Sequence, residues 1–415
     1  MPTELPIRSL HPDEFAAFAA MAERAFGKAP PEQAFAEFLE REASVFEFDR
    51  SLAAFDGTEV VASSGLFTTR LRIPGGELAV PVVTWVSVAR GYRRRGLLSR
   101  MLRGLMAAAR ERGEPMVSLF ASEATIYGRH GFGIATQLRS LALDRRVSAF
   151  RADAPEPGPV RAVSLETARA AFPAVYAAAR AQHLGMPSRS ARWWDYQVLA
   201  DPPAGREGAG AKEFAQAEGA DGSADGYAVW RLRTAWTGDG LPDGSVEVTE
   251  LMATTPEATT ALWRWCLDVD LAEHLVADLR PRDEPLAHLL VDPRRLTGGT
   301  RDGLWLRFVD LPAAIEARAW NGTDRLVLRV GDDLWPEQGG TWSLAVEQGS
   351  ARCTRVSAEA DLELGTEALA ALYLGETRVP ALRSAGRLLE CRPGAAHRFD
   401  VLLGVSEPTW TPEVF

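Results

Sequence analysis

One stretch constrains this chain more than any other: a strand that runs directly into a basic turn and then into a long amphipathic helix. Residues 82–98 read VVTWVSVARGYRRRGLL. The β-branched residues favour extended backbone. From Leu97 to Arg112 the apolar residues Leu98, Leu102, Leu105 and Met106 recur at helical spacing. A helix that begins where a strand ends presents unpaired N–H groups and a partial positive charge, which together bind phosphate. Gly96 removes a side chain where backbone must approach a ligand closely, and Arg93, Arg94 and Arg95 add fixed charge beside it. The stretch calls for an α/β unit, and a ligand carrying several phosphates, such as coenzyme A, fits the turn. A solvated basic turn would have the same residues.

The pattern extends in both directions. Phe15, Phe18, Met21, Ala22 and Phe26 predict an amphipathic helix closed by Gly27 and Pro30, and a second helix follows around 31–41. Strand-like runs lie at 51–55, 60–69 and 78–88, with a turn at Pro74-Gly75-Gly76. After the long helix, 116–121 and 138–143 read as strands, so a first α/β domain is expected over residues 1–150. A Pro-rich stretch, 152–159, reads as a linker to a second α/β unit over 151–300, whose order of elements echoes the first. Within it, 201–226 has few apolar anchors and is expected to be a mobile surface insertion. From 301 to 415, runs such as RLVLRVGDD and GTWSLAVEQG alternate with period 2, and the last third is expected to be α+β.

With 46 Lys and Arg against 56 Asp and Glu, the formal charge is −10. Such a chain repels nucleic acid and anionic membranes and suits a cationic substrate. Cys266, Cys353 and Cys391 are too scattered for a disulfide framework or a metal site, and are expected to be buried thiols in a reducing cytoplasm. The first residues, with Glu4, Asp13 and Glu14, lack the apolar core of a signal peptide, and no run is long enough to insert in a membrane. The six histidines form no paired motif, so no metal is assigned, and neither a G-x-S-x-G elbow nor a P-loop occurs. Trp193, Trp194, Trp263 and Trp265 read as core aromatics.

Arg93-x-x-Gly96 resembles the pyrophosphate-binding signature Q/R-x-x-G-x-G/A of the GCN5-related N-acetyltransferases (GNAT), with Leu98 in place of the last small residue. Together, WVSVARGYRRRGLLSRML and FASEATIYGRHGFGIAT resemble the Eis (enhanced intracellular survival) acetyltransferases, as do the three-part organisation and the terminal phenylalanine. That resemblance implies a mixed α+β chain: a catalytic GNAT domain, a degenerate GNAT-like domain and a sterol-carrier-like domain, assembled as a homohexamer. It implies acetyl-CoA as co-substrate, bound by Val86, Ser87 and Val88 along the pantetheine arm, by Arg93, Arg94, Arg95, Gly96, Leu97, Leu98 and Ser99 at the pyrophosphate, and by Ser122 and Glu123 in the same groove. It implies Tyr127 as general acid and the carboxylate of Phe415 as general base.

The chemistry agrees. An amine of lysine type, with a pKa of about 10.4, must lose a proton before attacking a thioester, and a carboxylate within reach accepts it. The departing thiolate needs a proton back, which a phenol can donate. The residues alone leave other roles open. Tyr127 also reads as a packed aromatic, Phe415 as a frayed end, Glu123 as a helix N-terminal acid, and Glu413 as either a solvated tail residue or an added charge for a cationic acceptor. The expected acceptors are amines of polycationic small molecules, aminoglycosides being familiar for the family. Protein lysines are the alternative, and a non-catalytic lipid-binding or assembly role is the reading from another class.

Overall fold

A computed structural model describes residues 5–28 and 31–415. Glu4, and Pro30 at the expected end of the first helix, lie outside them. Six elements position the site: β1 (Glu59–Phe67), β2 (Val82–Val88), α1 (Leu97–Glu111), β3 (Met116–Phe120), α2 (Ala124–Gly128) and β5 (Leu304–Phe308); β4 (Gln137–Asp144) lies between the last two in the chain.

The chain divides into two units. One takes residues up to Thr136, Leu304–Glu407 and Val414–Phe415; the other takes Gln137–Gly303 and Pro408–Glu413. Each contains a seven-stranded sheet. In the first the order is Ile7–Ser9, Ser51–Asp56, β1, β2, β3, β5, Gly133–Ile134. In the second it is Val160–Ala162, Glu213–Glu218, Ala224–Arg233, Gly244–Ala253, Ala272–Pro281, β4, Thr300–Asp302.

Two expected boundaries fall elsewhere. The strand at 138–143 was expected to close the first domain, but β4 pairs antiparallel with Ala272–Pro281 in the second sheet, where Leu141 and Leu143 enter that core. Conversely, β5 was expected in the third domain and instead sits between β3 and Gly133–Ile134. Every residue of β5 is buried, and a strand covered on both faces belongs inside a sheet. Within the first unit, the exit and return of the chain are tied together: Leu304 N donates to Thr136 Oγ1 at 2.8 Å, and Ala135 N to Leu304 O at 2.8 Å.

The stretch 201–226 is not a loose insertion. It supplies the strand Glu213–Glu218, with Ala215 and Ala217 buried on the second core, and alanine-rich strands give little hydropathy signal. Pro81 splits the expected strand at 78–88 into Gly76–Ala79, which pairs with Arg70–Ile73, and β2. The last third forms a five-stranded sheet, ordered Ser350–Arg355, Gly340–Glu347, Asp324–Gly331, Leu362–Gly365, Leu388–Glu390. Its helix Thr366–Leu372 packs within the first unit against Gly133, where a Cβ would meet Glu367 O at 2.0 Å. Among the described residues no helix is long and apolar enough to cross a membrane. Cys266 and Cys353 are buried, but Cys391 is exposed, contrary to expectation. Trp193, Trp194 and Trp263 are core residues; Trp265 is half-buried.

Candidate active site

The site begins with a defect in strand pairing. β1 and β2 run antiparallel, but between the pairs Gly65↔Thr84 and Ser63↔Ser87 the second strand carries an extra residue. Trp85 absorbs the bulge with a φ of 55°. The Ser63 hydroxyl donates to Trp85 O at 2.7 Å, and the Ser87 hydroxyl lies 2.6 Å from Ser63 Oγ, so two buried serines fix the bulge. On its other edge β2 meets its parallel neighbour β3 at one position, Val82↔Ser118. Beyond that position the strands diverge and a wedge opens. Ala89 N donates to Val61 O, on the β1 side; because peptide groups alternate along a strand, those of Val86 and Val88 face the wedge.

α1 begins at the mouth of this wedge. Its N-cap, Gly96, has φ 74° and ψ 6°, a left-handed conformation that a side chain disfavours, and a Cβ there would meet nothing within 4 Å. The first intrahelical bond runs from Arg100 N to Gly96 O, which leaves the amides of the first turn without helical partners, and no side chain caps them. The three arginines part company. Arg94, itself at φ 63°, is exposed and lines the groove; Arg93 lines it too, but its Nε donates to Val88 O at 3.2 Å. Arg95 is not in the lining: it donates to Gly91 O at 2.9 Å and lies 4.9 Å over the Tyr92 ring. Its side chain is thus held on the turn itself, by Gly91 and Tyr92.

The groove has a volume of about 1030 Å³, at the upper end for small-molecule sites. Every other expected cofactor residue lines it: Val86, Ser87, Val88, Gly96, Leu97, Leu98, Ser99, Ser122 and Glu123. Tyr127 lines it as well, buried, with its ring edge-on to Phe132 at 5.9 Å. Burial pushes its phenol above the ordinary tyrosine value and the Glu123 charge adds to this, while a hydrogen bond with Ser122 opposes it. Phe26, expected in the core of the first helix, instead follows the helix Phe15–Ala25, is exposed, and lines the groove.

The end of the chain is not frayed. Trp410, Thr411, Pro412 and Glu413 are buried, and the Phe415 ring packs 6.1 Å from that of Phe120, the last residue of β3. Glu413 is neither solvated nor free for a substrate. It pairs with Arg189, which also binds Glu250 through Nη1 at 3.0 Å, and the side chains of all three are buried, within the second unit.

Sequence reasoning missed several groove residues. His130 is buried, with Nδ1 2.7 Å from Ile126 O and Nε2 3.0 Å from Ser99 Oγ. Its position three residues after Tyr127 was a signal; the pairing across 31 residues was not. Arg103, Arg129, Asp333 and Leu334 also line the groove, and Arg103 Nε donates to Leu334 O at 3.0 Å. That loop follows a strand of the last third, so no local motif could link it to the turn.

Comparison with known proteins finds matches along most of the chain. Two models described as acetyltransferase (GNAT) domains match residues 6–135 and 185–308, and a sterol carrier protein domain matches 311–412. The chain is similar to N-acetyltransferase Eis of Mycobacterium tuberculosis, 37% identical over 365 residues, covering 86% of each chain. It belongs to the Eis family of GNAT N-acetyltransferases. An uncharacterized N-acetyltransferase of Streptomyces avermitilis is 39% identical over 376 residues, covering 89% of this chain and 90% of that one. The crystal structure of Eis1 from Mycobacterium abscessus superposes with a TM-score of 0.83 at 29% identity, covering 99% of this chain and 100% of that one. The Eis-family chain is thus an acetyltransferase of mixed α+β fold, with two GNAT domains and a sterol-carrier-like domain, and acetyl-CoA is its co-substrate.

Proposed function

We propose that this enzyme acetylates amines of polycationic small molecules, aminoglycosides among them, using Tyr127 as general acid and the carboxylate of Phe415 as general base. The observation that carries the reading is the meeting of two features in one unit. The buried Tyr127 phenol lines the groove, and Phe415 packs on the strand that leads into Ser122 and Glu123.

Acetyl-CoA would lie with its pyrophosphate on the uncapped first turn of α1, beside Arg94, and its pantetheine arm along Val86 and Val88. A substrate ammonium gives up a proton to the terminal carboxylate, and the free amine attacks the thioester carbonyl. As the tetrahedral intermediate collapses, the C–S bond breaks, the thiolate takes the Tyr127 hydrogen, and the extra proton on the amide nitrogen returns to the tyrosinate, leaving neutral amide and CoA thiol. A tyrosine phenol is protonated at neutral pH, and burial raises it further, so the donor is in the correct form when needed. A cationic acceptor is supported by the net charge of −10, which attracts it at long range.

CoA-thiol release with a multi-amine aminoglycoside tests the proposal. Turnover by the wild type, lost in Tyr127→Phe and on removal of Phe415, is the expected result. If the truncated enzyme matches the wild type, the terminal carboxylate is not the base. If aminoglycosides give no thiol release but partner proteins gain acetyl-lysine by mass spectrometry, the acceptor is protein.

A further inference from the structure

This inference rests on acetyl-CoA occupying the groove, and it concerns His130. Its Nδ1 is 2.7 Å from the carbonyl oxygen of Ile126. A carbonyl only accepts, so Nδ1 carries a hydrogen. In the neutral ring Nε2 is then an acceptor, and the single hydroxyl hydrogen of Ser99, 3.0 Å away, must point at it. Both residues line the groove, and Ser99 stands in the first turn of α1.

That arrangement is wrong for a phosphate. A phosphate oxygen takes donors, whereas Ser99 with its hydrogen committed to His130 offers lone pairs. Burial holds the ring below the ordinary histidine range, although the Ile126 carbonyl favours its charged form. The guanidinium groups facing it are Arg129 at the end of α2, Arg307 of β5 and Arg103 of α1, and each also disfavours its charge. The remaining titratable lining consists of Tyr92, Arg93, Arg94, Glu123, Tyr127 and Asp333. Arg307 is already paired with buried Asp332 at 2.7 Å, and the two negative charges of a CoA pyrophosphate would offset the other two guanidinium groups, which line the groove.

We propose that His130 is a positioning residue of the phosphate turn, which takes up a proton from solvent as the CoA pyrophosphate binds and thereby turns Ser99 into a phosphate donor. The imidazolium Nε2–H donates to Ser99 Oγ, and the freed hydroxyl hydrogen goes to a phosphate oxygen. The one covalent change is the N–H bond formed at Nε2, and its proton returns to solvent when CoA leaves. Because the complex binds more protons than the free enzyme, affinity rises as pH falls, and the coupling vanishes above the pKa of His130 in the complex.

The test is calorimetric titration of the full-length enzyme with CoA in buffers of matched pH but different heats of ionisation, from about pH 6 to about pH 8.5. The wild type is expected to take up a large fraction of a proton, with Kd for CoA rising toward alkaline pH. His130→Gln preserves an acceptor for Ser99 but cannot charge; it should show no uptake and a flat Kd. Ser99→Ala, which leaves the ring in place but removes its link to the phosphate, should also show none. Uptake that persists in the Gln variant, or CoA binding to the wild type with no proton exchanged at any pH, overturns the proposal and leaves the acetyltransferase reading intact. A wild type that binds no CoA overturns both.

Discussion

The two GNAT domains contain the same local arrangement, a parallel strand pair with a helix between, and only one is opened into a site. In the first, β2 and β3 are in register at Val82↔Ser118 and then part. In the second, Gly244–Ala253 and Ala272–Pro281 stay zipped from Gly244↔Ala272 to Val248↔Ala277. The helices differ just as sharply. α1 starts from a left-handed glycine with no side-chain cap, whereas Pro256–Leu267 starts from Thr255, whose side chain accepts from Ala258 N at 3.2 Å. The zipped pair satisfies its own backbone, and the capped helix spends its N-terminal amide on a threonine. The second unit does have a cavity of about 600 Å³, but it is lined by later helix residues such as Arg264 and Trp265, not by that first turn. A cofactor site is therefore made by leaving backbone groups unpaired in a defined place, which the shared fold does not do by itself.

The comparison can be broken most strongly at the chemistry. Tyr127→Phe should lower kcat about 100-fold or more while changing KM for acetyl-CoA little, since a general acid contributes at least that much. A pH profile sharpens this. The rate should hold as pH rises through the ordinary tyrosine value and be lost only above it, because burial raises the phenol and the protonated form is the active one. Next is the turn. Arg94→Ala should raise KM for acetyl-CoA by about 10- to 100-fold, the worth of a charge-assisted hydrogen bond, whereas Arg95→Ala should leave it unchanged. Gly96→Ala forces a side chain into left-handed backbone at about 1–2 kcal/mol and should raise the same KM roughly tenfold. The matching change in the second unit, Thr255→Ala, should cost about 1 kcal/mol of stability, read from the melting transition, and leave acetyl-CoA kinetics alone. A kinetic effect of Thr255→Ala would mean that the second helix start is not idle.

Much of this is legible in the sequence. The wedge-and-helix stretch announces itself because β-branched alternation, a glycine and an amphipathic helix are all local signals. Tyr127, which lines the groove, is singled out by the IYGRHGFG block, one helix and one strand after the turn. What stayed hidden was non-local. Nothing near Arg95 says that its side chain folds back on Gly91 and Tyr92. His130 looked like one scattered histidine, because its partner Ser99 lies on another element. Glu413 looked solvated because tails usually are, and Arg189 is too distant in sequence to suggest otherwise. The exchange of β4 and β5 was invisible for the same reason: each has an ordinary strand pattern, and pattern does not say which sheet receives it.

That exchange governs how the molecule can be made. β5 fills the place between β3 and Gly133–Ile134, yet it is synthesised only after the whole of Gln137–Gly303. A nascent chain that stops short of Leu304 carries the phosphate turn and Tyr127 but leaves the edge of β3 bare, an invitation to pair with another chain. The catalytic sheet therefore cannot mature domain by domain as it leaves the ribosome. It must wait, part-assembled, for a strand encoded some 170 residues downstream of Thr136, the high-contact-order situation in which folding is slow and chaperone protection counts most.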